Sequence, residues 1–255
     1  MRLNDKTILI TGANRGIGRA LAEELANYPV HLLLGMRDPT KHQPIKDSAA
    51  LSIKPIALDL GSLESIQKGL KNADKDLQSL DILINNAGQF LAGPLDKQDL
   101  NKLSSMLQVN LTGLMQLTAL LMPTLRKRHG KIVNNASIAG YAYLPFNGTY
   151  SSTKAGVVAF SEALRREQKE VSVLHLVTPG VATEMMDDVN STYSKNGKPV
   201  DLGSVPPDVW ARKVIKAIQK DKTMLTPGFT ATGFTRILSK GPRFLIDQIS
   251  KQVVK

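Results

Sequence analysis

The chain has 255 residues, a formal net charge of +11 and no cysteine. That length suits one α/β domain with a large core, and the missing thiols exclude disulfides and thiolate catalysis. The basic residues are scattered, and their densest run, Arg126-Lys127-Arg128-His129, falls at an expected helix end. There cations complement the helix dipole, so the charge predicts no nucleic-acid partner; part of it suits a small polyanion. No apolar stretch approaches the ~20 residues that cross a bilayer, the first residues run directly into a strand pattern, and a cytoplasmic location is expected.

In chain order, an apolar strand is expected at residues 7–10. It leads into Thr11-Gly12-Ala13-Asn14-Arg15-Gly16-Ile17-Gly18 and a helix at 19–26. In a strand, glycine turn and helix of this kind, backbone can approach a pyrophosphate closely, and the helix N-terminus offers free N–H groups. A second strand at 30–35 stops before Met36-Arg37. A third at 53–58 closes on Asp59-Leu60 and precedes a helix at 63–77. The strand at 81–84 runs into Asn85-Asn86-Ala87-Gly88, and a helix at 103–125 carries Asn110. The strand at 131–135 leads to Ser137, and the helix at 150–168 carries Tyr150 and Lys154. A strand at 171–177 ends before Pro179-Gly180; a helix at 207–219 and a short strand at 223–225 follow. Unbroken apolar runs fit strands buried on both faces, and the alternation predicts an α/β fold: one doubly wound, mostly parallel sheet of Rossmann type with helices on both faces, spanning 1–255 as a single domain.

Two segments depart from the alternation. Residues 181–205 have no clear period and follow a strand's carboxyl end, so a substrate lid is expected there. Residues 229–255 are basic and amphipathic. Packing on the domain or on a second subunit is the main expectation, and peripheral contact with a membrane surface the minor one.

The chemistry centres on Tyr150. Of five tyrosines, it alone has a lysine four residues on. Helical residues at that spacing share a face, ~5–6 Å apart. A phenol with its ordinary pKa of ~10 is a poor base near neutrality, whereas a nearby ammonium favours the phenolate. The pair can then exchange a proton with an alcohol or a carbonyl oxygen. By itself it is equally a surface tyrosine and lysine on an amphipathic helix; the glycine turn far upstream is what gives it weight.

Together with Asp59-Leu60, Asn85-Asn86-Ala87-Gly88, Asn110, Ser137 and Pro179-Gly180, these motifs occur in an order that resembles the short-chain dehydrogenase/reductase family over roughly residues 5–225. The resemblance implies hydride transfer between a nicotinamide and a carbonyl or alcohol. It makes Tyr150 the proton donor or acceptor, with Ser137 binding the developing oxyanion. Lys154 would tune Tyr150 and hold the nicotinamide ribose, and Asn110 would bend its helix and hold a water beside Lys154. Gly12, Asn14, Gly16, Ile17 and Gly18 would seat the pyrophosphate. Asp59 and Leu60 would meet the adenine, and Asn86, Ala87 and Gly88 the adenosine side. Pro179 and Gly180 would complete the cofactor set, and no metal is implied. A threonine usually stands five residues after this proline and contacts the carboxamide; here Thr183 stands four after Pro179, so its contact is open.

NADP(H) is expected over NAD. The usual acidic position at the end of the second strand falls on Met36, and Arg37 with Arg15 would clamp a 2′-phosphate. Asp38 is read as the start of a turn. Phe90, Leu91, Tyr141, Tyr143, Leu144, Phe146, Met185 and Met186 suggest an apolar ketone, aldehyde or acyl substrate. Apolar coverage of 103–125 is wider than one core stripe needs, so a homodimer or homotetramer is expected. A non-catalytic dinucleotide sensor and an NAD-dependent alcohol dehydrogenase remain as alternatives.

Overall fold

The computed structural model describes residues 1–196 and 204–227. Its strands are β1 (Thr7–Thr11), β2 (His31–Met36), β3 (Ser52–Ala57), β4 (Leu80–Asn85), β5 (Lys131–Asn135), β6 (Ser172–Leu176) and β7 (Met224–Leu225). They form one parallel sheet in the order β3-β2-β1-β4-β5-β6-β7. The order reverses beside β1, so the crevice for a ligand lies at the carboxyl ends of β1 and β4.

Ile8 and Ile10 of β1 pack into the core under helices α1 (Gly16–Leu25) and α8 (Pro207–Gln219), together with Leu32, Leu34 and Trp210. Leu9, between them, belongs to the opposite core with Leu33, Leu83, Leu117 and Leu125. Successive strand side chains alternate faces, and both faces are covered, so the strands read as continuous apolar runs. β3 departs from that expectation. It is an edge strand with Lys54 and Pro55 exposed, a place where a residue without an N–H is tolerated.

The helices differ from the sequence pattern in three places. The expected 63–77 helix is two, α2 (Leu63–Asn72) and α3 (Asp74–Leu77). The 103–125 helix begins earlier, as α4 (Leu100–Leu107), because Asp99 accepts from the Asn101 and Lys102 N–H groups and caps it. A π-helical turn, Gln108–Thr112, then separates it from α5 (Gly113–Lys127). After α6 (Gly148–Glu167), the segment expected to be an irregular lid contains α7 (Glu184–Asn196). Its serines, asparagines and β-branched residues are weak helix formers. Tertiary contact decides the matter: Tyr193 is 2 % exposed and its hydroxyl donates to the Pro145 carbonyl at 3.2 Å. The rest of the lid expectation, 197–203, and the amphipathic segment at 229–255 lie outside the described residues. Among the described residues no helix is long and apolar enough to cross a membrane.

Candidate active site

The turn after β1 is shaped by its glycines. Gly12 and Gly16 hold φ of +65° and +54°, in the left-handed region. A Cβ on Gly18 would stand 2.2 Å from the Gly12 carbonyl oxygen. Arg15 precedes α1 with no side chain capping the helix, which leaves first-turn N–H groups free. Asn14 and Arg15 are exposed, and Ile17 is half-buried. The turn after β4 is stitched to this one. Thr11 Oγ1 accepts from the N–H of both Asn86 and Ala87 at 2.9 Å, and Asn86 Nδ2 donates to the Thr11 carbonyl at 3.0 Å.

Around the end of β2 the charges separate. Arg37 is exposed and makes no hydrogen bond or ion pair with the described residues. Asp38 accepts from Thr40 N–H at 3.1 Å and caps the short turn Pro39–Lys41, as its sequence suggests. Met36 is 3 % exposed and packs in the core. The Arg15 guanidinium turns to α7 and pairs with Glu184, its first residue. Asp59 accepts from Gly61 N–H at 2.9 Å within its own turn. Leu60 is buried, and its carbonyl accepts from Gln108 Nε2 at 3.1 Å, beside the π-turn.

The structure brings Ser137, Tyr150 and Lys154 together at the carboxyl end of β5. Ser137 follows β5 and caps the turn Ile138–Gly140, its Oγ accepting from Ala139 N–H at 3.1 Å. The same hydroxyl lies beside the Tyr150 phenol and favours its ionised form. Tyr150 is 9 % exposed, with the Phe90 ring edge-on at 5.1 Å. Burial pushes its phenol up to about 12, and Ser137 only partly offsets this. Lys154 Nζ lies 5.7 Å from the ring centroid and donates to the Asn135 carbonyl at 2.8 Å. Burial lowers the Lys154 ammonium from 10.5 to about 8.

Asn110 sits inside the π-turn. Its Oδ1 accepts from Gln89 N–H at 2.7 Å, and its Nδ2 donates to the Gln89 carbonyl at 2.9 Å and to Thr153 Oγ1 at 3.3 Å. Gly88 lies between Asn110 and Lys154; a Cβ there would be 3.4 Å from Asn110 Oδ1 and 3.9 Å from Lys154 Nζ. Past Pro179, the Gly180 carbonyl accepts from Val205 N–H at 2.9 Å. The Thr183 methyl comes to 3.4 Å from the position of a Gly16 Cβ, while its hydroxyl donates to Val181. Thr183 thus lies over the glycine turn.

Two contributing residues, Asn135 and Thr178, escape a pattern reading. Asn135 positions Lys154 through its carbonyl. Its side chain accepts from Thr178 Oγ1 and donates to Asn86 Oδ1 at 2.9 Å, so β5, the segment after β6 and the turn after β4 are locked together. Thr11, the first residue of the glycine motif, binds the turn after β4 to the same network. In sequence Asn135 and Thr178 are only polar residues at strand ends, and that polarity was the available signal. Among the described residues no group of three or more His, Asp or Glu forms a metal site.

The short chain dehydrogenase family matches residues 6–194. A ketoacyl reductase, HetN, of Nostoc sp. is 33 % identical over 87 % of this chain and 77 % of its own. An uncharacterised oxidoreductase of Staphylococcus aureus is 30 % identical over 86 % of this chain and 94 % of its own. Among solved structures, a short chain dehydrogenase of Burkholderia cenocepacia in complex with NADP superposes with a TM-score of 0.81 at 22 % identity, covering 97 % of this chain and 98 % of that one. An alcohol dehydrogenase of Thermococcus sibiricus complexed with 5-hydroxy-NADP gives 0.76 at 25 % identity, over 88 % and 96 %. A short chain dehydrogenase/reductase of Burkholderia phymatum in complex with NAD gives 0.76 at 22 % identity, over 94 % and 95 %. On the family match over most of its length and the order of its motifs, the chain belongs to the short-chain dehydrogenase/reductase family of oxidoreductases.

Proposed function

We propose that the chain is an NADPH-dependent reductase of an apolar ketone, aldehyde or acyl derivative. The observation that carries this is the buried Tyr150 phenol, with Ser137 and Lys154 beside it at the carboxyl end of β5. Such a phenol can give a proton to a carbonyl oxygen as hydride arrives. The Nostoc relative's name favours an acyl substrate, and two of the structural neighbours hold NADP or a derivative of it.

The residues present fit a dinucleotide. Gly12 and Gly16 turn through left-handed backbone, Gly18 leaves no space for a Cβ, and the start of α1 is uncapped. An exposed Arg37, without a partner among the described residues, and Arg15 in the glycine turn suit a 2′-phosphate, and Met36 stands buried at the usual acidic position. When bound, the nicotinamide supplies the hydride. Ser137 then donates a hydrogen bond to the developing oxyanion, an interaction that strengthens as charge builds. Tyr150 gives its proton to the same oxygen. Lys154 keeps the phenol's surroundings positive and donates to the ribose hydroxyls. Asn110, pinned to Gln89 and Thr153, holds the π-turn against Gly88 and Lys154.

The same chain is proposed to assemble as a dimer or tetramer through α5 and α6. Their outer faces carry a groove lined by Met115, Ala119, Met122, Pro123 and Phe160, with Leu120 41 % exposed beside it.

The test is NADPH oxidation across a panel of ketones, aldehydes and acyl thioesters. Wild type should turn over apolar members, and Tyr150→Phe should not, while still binding NADPH. Tight NADPH binding with no turnover on any carbonyl would favour a dinucleotide sensor and overturn the reductase assignment.

A further inference from the structure

The Arg15–Glu184 pair joins the cofactor turn to the first residue of α7, across 169 residues of sequence. Arg15 is one of the two cations assigned above to the 2′-phosphate. In the free protein its guanidinium already has an anionic partner. We infer that Glu184 is a specificity-determining residue, competing with the 2′-phosphate for Arg15 and so limiting the preference for NADPH over NADH; this rests on the NADP assignment.

The backbone on both sides of Glu184 is hydrogen-bonded in place. Ala182 N–H donates to Val205 at 3.0 Å, Val205 N–H to Gly180 at 2.9 Å, and Met186 N–H to Thr183 at 2.7 Å. Further along α7, Tyr193 is buried and tied to Pro145. Both side chains are exposed, Arg15 at 65 % and Glu184 at 74 %, and Arg15 has no other side-chain partner among the described residues. When a phosphate arrives, the guanidinium must leave a carboxylate whose backbone stays beside the glycine turn. NADPH must therefore break an ion pair and approach a negative charge. NADH has a neutral hydroxyl at that position and does neither.

The magnitude is bounded by exposure. The Glu184 carboxylate is 74 % exposed, and exposed pairs are worth at most about 1 kcal/mol, or about fivefold in affinity. Removal of the Glu184 charge should tighten NADPH by about three- to fivefold, short of the ten- to a hundredfold loss expected when a phosphate ligand is removed.

The experiment is calorimetric titration at fixed, low ionic strength. Titrants are NADPH, NADH, and the fragments adenosine 2′,5′-bisphosphate and AMP. Proteins are wild type, Glu184→Gln, Arg15→Gln and the double variant. Glu184→Gln should tighten NADPH and the bisphosphate and leave NADH and AMP unchanged. In the Arg15→Gln background the gain should shrink, since no guanidinium remains to compete for. If Arg15→Gln weakens NADPH but Glu184→Gln changes nothing, or tightens NADH equally, the competition is overturned while the NADP assignment stands. If wild type binds both cofactors equally and Arg15→Gln leaves NADPH unchanged, the NADP assignment fails and the competition with it.

Discussion

Lys154→Met should separate the stability of this protein from its chemistry. The lysine is 6 % exposed, and burial lowers its ammonium from 10.5 to about 8. Between those values the unfolded chain binds the proton and the folded chain does not. Unfolding free energy therefore rises with pH across that window and loses this contribution as pH falls through about 8. At about 1.36 kcal/mol per pH unit, the wild type should gain about 2 kcal/mol relative to Lys154→Met between pH 8 and 9.5. Tyr150 titrates higher, its folded value raised to about 12, and it is present in both proteins, so its effect largely cancels in the difference. Near pH 7 the variant relieves the cost of a buried cation and loses one charge-assisted bond to Asn135, a bond worth about 1.5–3 kcal/mol. The two nearly offset, and the variant should be about as stable as wild type while its turnover collapses. The assay is urea unfolding of both proteins at pH 7, 8, 9 and 9.5, with NADPH turnover measured alongside. A stability difference that stays flat over that range would refute the buried, pKa-lowered ammonium.

Arg37→Ala should weaken NADPH by about ten- to a hundredfold and leave NADH and the melting temperature unchanged, because Arg37 has no partner among the described residues; equal losses for both cofactors in a titration would make it a solvated strand-end charge. Gly18→Ala should lower stability by about 1–3 kcal/mol or more and abolish cofactor binding, since its Cβ meets the Gly12 carbonyl at 2.2 Å, and a melting curve like that of wild type would contradict the packing. Met36→Asp, attractive from sequence as an NAD-converting change, buries a carboxylate at a position 3 % exposed and should lower the melting temperature whatever it does to selectivity. Light scattering should give a dimer or tetramer mass, and Leu120→Glu, on the exposed face of α5, should reduce it.

Much of the site was legible because its parts are local. The glycine turn needs left-handed backbone at Gly12 and Gly16, and a Tyr150–Lys154 spacing on one helix face needs only helical geometry. The π-turn at Asn110 was anticipated only as a bend within a single helix; the Asn110 side chain donates to Gln89 and Thr153, and both lie outside that helix. The α7 helix was missed for a related reason. Its own residues favour helix weakly, and the burial of Tyr193 against the Pro145 segment compensates.

By itself the sequence determined the parallel α/β sheet and the family, and it singled out the turn, strand-end and helix residues proposed for the site, because strand periodicity and short motifs act between near neighbours. Only the tertiary structure decided their chemical state. Burial raises the Tyr150 phenol, and Lys154 donates to Asn135, a strand-end residue with no motif of its own. Arg15 meets Glu184 across most of the chain. Desolvation and long-range pairing depend on what the completed fold packs around a side chain, and no local run of residues encodes that.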